Sequence, residues 1–237
     1  MGVRILLVEG DDDQHVVWNL RDTRELPSDF YVARPGDVVD ASRPGMVRRP
    51  QVACKDEASG GDARLLESIP ARLDTSDLER LAIVIDADDK GPQRRWDSIR
   101  DRLVSEGYDA DLLPRDAKPA GVILDLPPRR GRKPIRFGLW IMPDNQSNGM
   151  LEDFVANMIH DDDEMLPRVN DFLGAIPREN RRFSPAHQSK ARLHTWLAVS
   201  ERPGRPMGQA IKAESHLDAN HTSVEPFLSW IRKALVD

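Results

Sequence analysis

The stretch VRILLVEGDDD (residues 3–13) decides how the chain folds, because it joins an apolar strand to an acidic turn. Its first part is rich in valine, leucine and isoleucine, which is typical of a strand buried on both faces of a parallel sheet. A second stretch of the same kind, LAIVIDADD (residues 81–89), also ends in acidic residues. The chain therefore places carboxylates directly after two predicted buried strands.

The order of the predicted elements indicates an α/β fold with a mostly parallel central sheet. Strands that alternate with helices form such sheets through right-handed crossovers. The functional sites of these sheets lie beyond the carboxyl ends of the strands, which is where Glu9 and Asp86 fall. The predicted elements are strands at Val3–Val8, Phe30–Ala33 and Leu81–Ile85, and helices that start at Asp11–Asp13 or span Gly60–Leu73 and Pro92–Glu106.

A β-hairpin and a helical C-terminal part complete the predicted fold. The hairpin pairs Val122–Leu126 with Ile135–Met142. We expect residues 1–160 to form the α/β core, and residues 161–237 to be a helical part packed on the same domain. Residues 27–61, which contain several Pro-Gly turns and a strand candidate at Gln51–Lys55, are expected to be an insertion or loop region. The predicted C-terminal helices are Glu164–Gly174, Gln188–Ser200 and Val224–Val236.

Composition and charge exclude several classes of protein. The net charge of −6 argues against a basic coat that binds DNA through bulk charge. A single cysteine, Cys54, excludes an intrachain disulfide framework and a cysteine-based zinc site. The apolar runs are far shorter than the roughly 18 residues that a membrane helix needs, and we find no signal-peptide pattern. We therefore expect a cytoplasmic protein with no membrane partner.

Four acidic clusters fall at predicted element junctions. Carboxylates that converge at strand ends repel one another unless cations or hydrogen-bond donors neutralise them. Mg²⁺ (or Mn²⁺) is the natural neutraliser, since it prefers carboxylate oxygens and keeps water ligands for phosphate. Acids at helix N-termini also serve as ordinary caps, so that alternative stays open for Asp11–Asp13. The clusters are Glu9 with Asp11–Asp13, Asp86 with Asp88 and Asp89, Asp144, and Glu152 with Asp153.

The acidic stretches VEGDDD (8–13) and IVIDAD (83–88) resemble the topoisomerase–primase (Toprim) domain. That family has a Glu-Gly turn after its first strand and an Asp-x-Asp after a later strand. More narrowly, the chain resembles small stand-alone Toprim-like proteins related to the nuclease domain of the OLD (overcoming lysogenization defect) family of ATPases. The narrower resemblance depends on IMPDN (141–145), GMLEDF (149–154), SKA (189–191) and WLA (196–198).

This resemblance implies a Rossmann-like Toprim fold and Mg²⁺-dependent phosphoryl transfer. Glu9 would be a general acid/base or a metal ligand, and Lys190 would stabilise charge that develops on phosphate. A plain surface lysine remains the alternative for Lys190. The other implied metal ligands are Asp13, Asp86 and Asp88, with Asp144 and Glu152 completing a second metal position.

Among Toprim-type activities, the residues favour a nuclease that hydrolyses nucleic-acid phosphodiesters. Transesterification needs a tyrosine in a recognisable motif, and neither Tyr31 nor Tyr108 has one. The chain also contains no G-x-x-x-x-G-K-[ST] motif, which leaves open whether it acts alone or with an ATPase or another protein partner. The alternative is a non-catalytic Toprim-like module that binds metal or nucleic acid as a subunit of a larger defence or repair complex.

A basic tip joins the two strands of the predicted hairpin. We expect this tip to lie beside the acidic site and to hold the phosphate backbone of DNA or RNA. No aromatic residue interrupts the charges, so a solvated loop is the alternative reading. The tip residues concerned are Arg129, Arg130, Arg132 and Lys133.

Overall fold

The computed structural model describes residues 2–39, 47–48, 61–212 and 217–237. The strands are β1 (Val3–Leu7), β2 (Tyr31–Ala33), β3 (Val38–Val39), β4 (Val47–Arg48), β5 (Leu78–Asp86), β6 (Val122–Leu126) and β7 (Ile135–Met142). The helices are α1 (Asp11–Thr23), α2 (Gly61–Leu73), α3 (Pro92–Ser105), α4 (Leu151–Ala156), α5 (Met165–Ala175), α6 (Gln188–Ala198), α7 (Met207–Lys212) and α8 (Glu225–Ile231), which continues as a π-helical segment at Arg232–Val236.

In the described part of the chain, five strands form the central sheet in the order β2-β1-β5-β7-β6. All neighbouring pairs are parallel except β6 and β7, which form the predicted antiparallel hairpin. The predicted α/β fold with a mostly parallel sheet is therefore confirmed. A small antiparallel pair, β3 with β4, lies in the region expected to be an insertion. The strand candidate at Gln51–Lys55 lies outside the described residues.

The apolar side chains of the sheet alternate between two hydrophobic cores, as the period of a strand requires. Ile5 and Leu7 join the core that contains α2 and α3, whereas Leu6 joins the core that contains α1 and the C-terminal helices. On this second face, the Trp140 ring lies 5.4 Å from that of Phe227 and 5.8 Å from that of Trp230. Residues beyond 160 thus pack into the same core as the α/β part.

The acidic and basic segments lie at opposite edges of the sheet. Glu9, Asp86 and Asp144 follow or end β1, β5 and β7, whose carboxyl ends share one edge. The basic tip precedes β7, so it lies at the other end of this eight-residue strand, about 26 Å away at ~3.3 Å per residue. The expectation that the tip lies beside the acidic site is therefore wrong. The two ends of one strand cannot occupy the same edge.

The tip residues also differ in exposure. Arg129 is buried, and its guanidinium pairs with Asp74 at 3.0 Å and with Glu106 at 2.8 Å. It therefore anchors the tip to the protein and is not available to a phosphate. Arg130, Arg132 and Lys133 are exposed. Within the described residues, we find no helix long and apolar enough to cross a membrane.

Candidate metal centre

Glu9 and Asp86 link two neighbouring strands at the carboxyl edge of the sheet. The Glu9 Oε1 atom accepts a hydrogen bond from the main-chain N–H of Asp86 at 2.7 Å. The Asp86 Oδ1 atom in turn accepts a hydrogen bond from the N–H of Leu151, the first residue of α4, at 2.9 Å. These two bonds bring the end of β1, the end of β5 and the start of α4 together.

Asp13 lies in the first turn of α1 and is buried. Its Oδ2 atom accepts a hydrogen bond from the N–H of Gly10 at 3.1 Å, so it caps the helix as the alternative interpretation proposed. The same carboxylate also lies close enough to Glu9 and Glu152 for their charges to raise its pKa. Asp13 therefore combines a capping role with membership of the acidic cluster.

Glu152 and Lys190 form an ion pair at the same edge of the sheet. Glu152 is 4 % exposed, and its Oε1 atom lies 3.7 Å from the Lys190 Nζ atom. The start of α6 is fixed against α4 by a hydrogen bond of 2.6 Å from the Ser189 hydroxyl to the Asp153 carboxylate. This bond brings Lys190 next to the buried acids, although the lysine itself remains about half exposed.

Four of these carboxylates have raised pKa values. Burial is the largest cause in each case, and the neighbouring acids add to it. The pKa of Glu9 rises to about 7, against the opposing hydrogen bond from Asp86. The pKa of Asp13 also rises to about 7, and that of Asp86 lies well above its usual range. Burial also raises the pKa of Glu152, although the charge of Lys190 opposes this effect.

Asp88 occupies a strained position two residues beyond Asp86. Its φ is +49°, in the left-handed region that few non-glycine residues adopt. The loop is held by a pair of main-chain hydrogen bonds with Gly149, of 2.7 Å and 3.1 Å. The carboxylate of Asp88 forms an ion pair with the guanidinium of Arg95. Asp88 is thus fixed by both its backbone and its side chain.

Asp144 follows β7 but has a different role from the other acids. Its Oδ1 atom accepts hydrogen bonds from the N–H groups of Gln146 and Ser147 at 2.9 Å and 2.7 Å. Burial alone would raise its pKa, but these bonds leave that pKa lowered. The carboxylate of Asp144 thus stabilises the turn that follows β7, and its place among the implied metal ligands stays a prediction.

Sequence reasoning missed Arg95 and Asp62. Arg95 lies on the buried face of α3 with Trp96 and Ile99, and it is only 2 % exposed. It pairs with Asp88 and, at 2.6 Å, with Asp62 at the start of α2. The sequence does place a charged residue at an apolar position of this helix. Because charged residues are rarely buried without a partner, that position could have indicated a buried ion pair.

The donor set suits a hard divalent cation such as Mg²⁺ or Mn²⁺. Carboxylate oxygens are the ligands these ions prefer, and Mg²⁺ is often held by one or two carboxylates with water completing its shell. Among the described residues, no three acidic, histidine or cysteine side chains converge on one point as they stand. Ion binding would therefore exchange some of the hydrogen bonds and protons that now hold these carboxylates.

Comparison with known proteins gave one result. The model of a family described as "Protein of unknown function (DUF3226)" matches residues 3–236. Neither the search of curated proteins nor that of solved structures produced a match.

Proposed function

The chain belongs to the DUF3226 family, and from the site of this member we propose a metal-dependent phosphoryl-transfer enzyme, a nuclease that hydrolyses phosphodiester bonds of DNA or RNA. One observation carries the proposal: Glu9, Asp13, Asp86 and Glu152 lie at the carboxyl edge of a parallel sheet, where burial, and after it the charges of neighbouring acids, raises their pKa values. Buried carboxylates whose pKa values are raised in this way are typical of functional sites.

The side chains around the cluster suit this chemistry. Glu9, with a pKa of about 7, can exchange a proton near neutral pH, as a general acid or base must. Although burial, the largest influence, acts to lower the pKa of Lys190, the charges of Glu152, Asp86 and Asp13 raise it. Lys190 therefore stays charged and is suited to stabilise a phosphate. When bound, one or two Mg²⁺ or Mn²⁺ ions would activate water and neutralise the leaving oxygen.

The resemblance to the Toprim domain supports the same proposal. The acids it implies as ligands include Glu9, Asp13, Asp86, Asp88 and Glu152, all of which follow sheet strands or begin helices at the one edge. The proposal includes a cytoplasmic location, which the single cysteine favours, and it allows for an ATPase or another protein partner.

The test is a nicking assay on supercoiled plasmid DNA and a single-stranded RNA, with Mg²⁺, Mn²⁺ or EDTA. We expect cleavage that depends on metal, that Asp86→Asn abolishes and that Lys190→Gln reduces. The matched control is Asp171→Asn, which changes an exposed acid of α5 and should cleave like the parent. Cleavage that persists in Asp86→Asn would contradict the assignment of the site.

The non-catalytic module remains the competing hypothesis. It predicts that the parent binds Mn²⁺ or nucleic acid but cleaves neither substrate with either metal. Adding a candidate ATPase partner to the parent and to Asp86→Asn then separates the two hypotheses. Cleavage by the complex that Asp86→Asn abolishes would favour a catalytic subunit, whereas cleavage that Asp86→Asn leaves intact would favour the non-catalytic module.

A further inference from the structure

Arg95 binds two carboxylates that come from different parts of the fold. One of its terminal amino groups pairs with Asp88, and Nη1 lies 2.6 Å from Asp62 Oδ2. Asp62 also lies 3.0 Å from the Nζ atom of Lys90, which is half exposed. The result is a row of alternating charges that leads from the surface to the cluster.

We propose that Arg95 is a positioning residue that holds the Asp88 carboxylate in place for the divalent ion. Asp62 in turn fixes the orientation of Arg95. This inference rests on the proposed function. Asp88 is on a loop, where its side chain would otherwise choose among several rotamers. The planar guanidinium can bind two carboxylates at once, which restricts the orientation of both. Neither Arg95 nor Asp62 belongs to the set of metal ligands proposed from the sequence.

A purely structural ion pair explains the arrangement less well. Arg95 is 2 % exposed, and within the described residues its Nε atom has no hydrogen-bond partner. Burying an incompletely bonded charge is costly, and apolar residues of similar volume often stabilise a core better. The charge of Arg95 also opposes the rise in the pKa of Glu9 that burial causes. Through Asp88 and through this charge, Arg95 is therefore linked to the acidic cluster.

Charge and positioning predict opposite results for a variant. If Arg95 acted only through its charge, removing it would make the cluster more negative and strengthen cation binding. If Arg95 positions Asp88, removing its guanidinium group weakens cation binding. Loss of a residue that orients a metal ligand typically lowers metal affinity about 10- to 100-fold. Arg95→Lys is the sharpest variant, because lysine keeps the charge but cannot bridge Asp88 and Asp62 in the same way.

The experiment measures Mn²⁺ affinity by electron paramagnetic resonance of free Mn²⁺, with circular dichroism as the folding control. We expect about 10- to 100-fold weaker binding in Arg95→Lys and a smaller loss in Asp62→Asn. The matched control is Arg100→Lys on the same helix, whose guanidinium binds the Ala110 carbonyl and not the cluster. Its affinity should equal that of the parent.

The outcomes separate this inference from the proposed function. If the parent binds no Mn²⁺, both fail. If the parent binds Mn²⁺ and Asp86→Asn does not, but Arg95→Lys binds as tightly as the parent or more tightly, only the positioning role of Arg95 fails. Should Arg95→Lys not fold, Asp62→Asn decides, since unchanged affinity there would also overturn the role.

Discussion

The carboxylate of Glu9 accepts the main-chain N–H of Asp86 at 2.7 Å, although 77 positions separate the two residues in the chain. This bond fixes one oxygen of Glu9 at the point where β1 and β5 end. It also means that the acid is part of the fold as well as the site. Substitutions at Glu9 can therefore separate its chemical role from its structural one.

Glu9→Gln should lose cleavage while keeping the fold. The amide oxygen of glutamine can still accept the Asp86 N–H, but glutamine cannot exchange a proton near pH 7, and loss of such a group typically costs about 100-fold or more in rate. Glu9→Ala should in addition lose roughly 1–3 kcal/mol of stability, because it leaves a buried N–H unpaired. Nicking rates and urea unfolding measure the two effects. Full cleavage by Glu9→Gln would exclude Glu9 from the chemistry.

Asp86→Asn should be at least as stable as the parent without metal. Burial, and after it the charges of the neighbouring acids, raises the pKa of Asp86, so a charge is unfavourable there. Asparagine carries no charge and can still accept a hydrogen bond from the Leu151 N–H. Mg²⁺ should raise the melting temperature of the parent more than that of the variant, because a ligand stabilises the state that binds it. Equal metal-induced shifts in the two proteins would contradict a role for Asp86 in binding.

The metal-free protein should lose stability as pH rises from about 5 to 8. The pKa of Glu9 is about 7 when folded against 4.5 as the ordinary value, so the folded state holds more protons in that window. The free energy of unfolding then falls with rising pH, by at most about 1.4 kcal/mol per unit for each such group. The pKa of Asp62 is lowered to about 2, so this residue affects the dependence of stability on pH only in more acidic solution.

Urea unfolding in EDTA at pH 5.5 and 8 measures this pH dependence. Glu9→Gln supplies the control, because it removes one of the carboxyl groups whose pKa is raised. The free energy of unfolding of this variant should depend less on pH. The same pH dependence in both proteins would show that Glu9 is not protonated in the folded state.

Substitution of the exposed tip residues should leave the rate of cleavage at saturating substrate unchanged. The tip lies at the opposite end of β7 from the acids, so a nucleic-acid contact there would affect affinity and its salt dependence alone. The variant is Arg130→Gln with Arg132→Gln and Lys133→Gln, tested by nicking kinetics and by filter binding at several salt concentrations. A large fall in the saturated rate would place the tip in the cleavage site after all.

The central strands could be predicted from the sequence because a short, continuous apolar run is best buried as a strand with both faces covered. Leu81–Ile85 lies within the observed β5, and the hairpin formed at the predicted bounds. The acids after β1 and β5 then reach one edge because parallel strands share their direction. That inference needs only topology, and for this reason the neighbourhood of Glu9 and Asp86 was accessible from the sequence.

Side-chain partners were not accessible in the same way. Asp144 has the right position in the chain, but the local turn uses its oxygens. Arg95 depends on Asp62 and Asp88, which come from other elements. Helix α7 was missed because six residues are too few to show a period. It packs on α1, where a Cβ at Gly208 would lie 2.7 Å from the His15 backbone.

A crystal of the protein soaked with Mn²⁺ and measured for anomalous scattering locates bound ions directly. We predict a peak beside Glu9 and Asp86 at the carboxyl edge of the sheet, with Asp88 or Glu152 among the neighbouring oxygens, and no such peak in Asp86→Asn. An occupied Mn²⁺ position elsewhere, with this edge empty at saturating Mn²⁺, would contradict a metal-dependent nuclease site here.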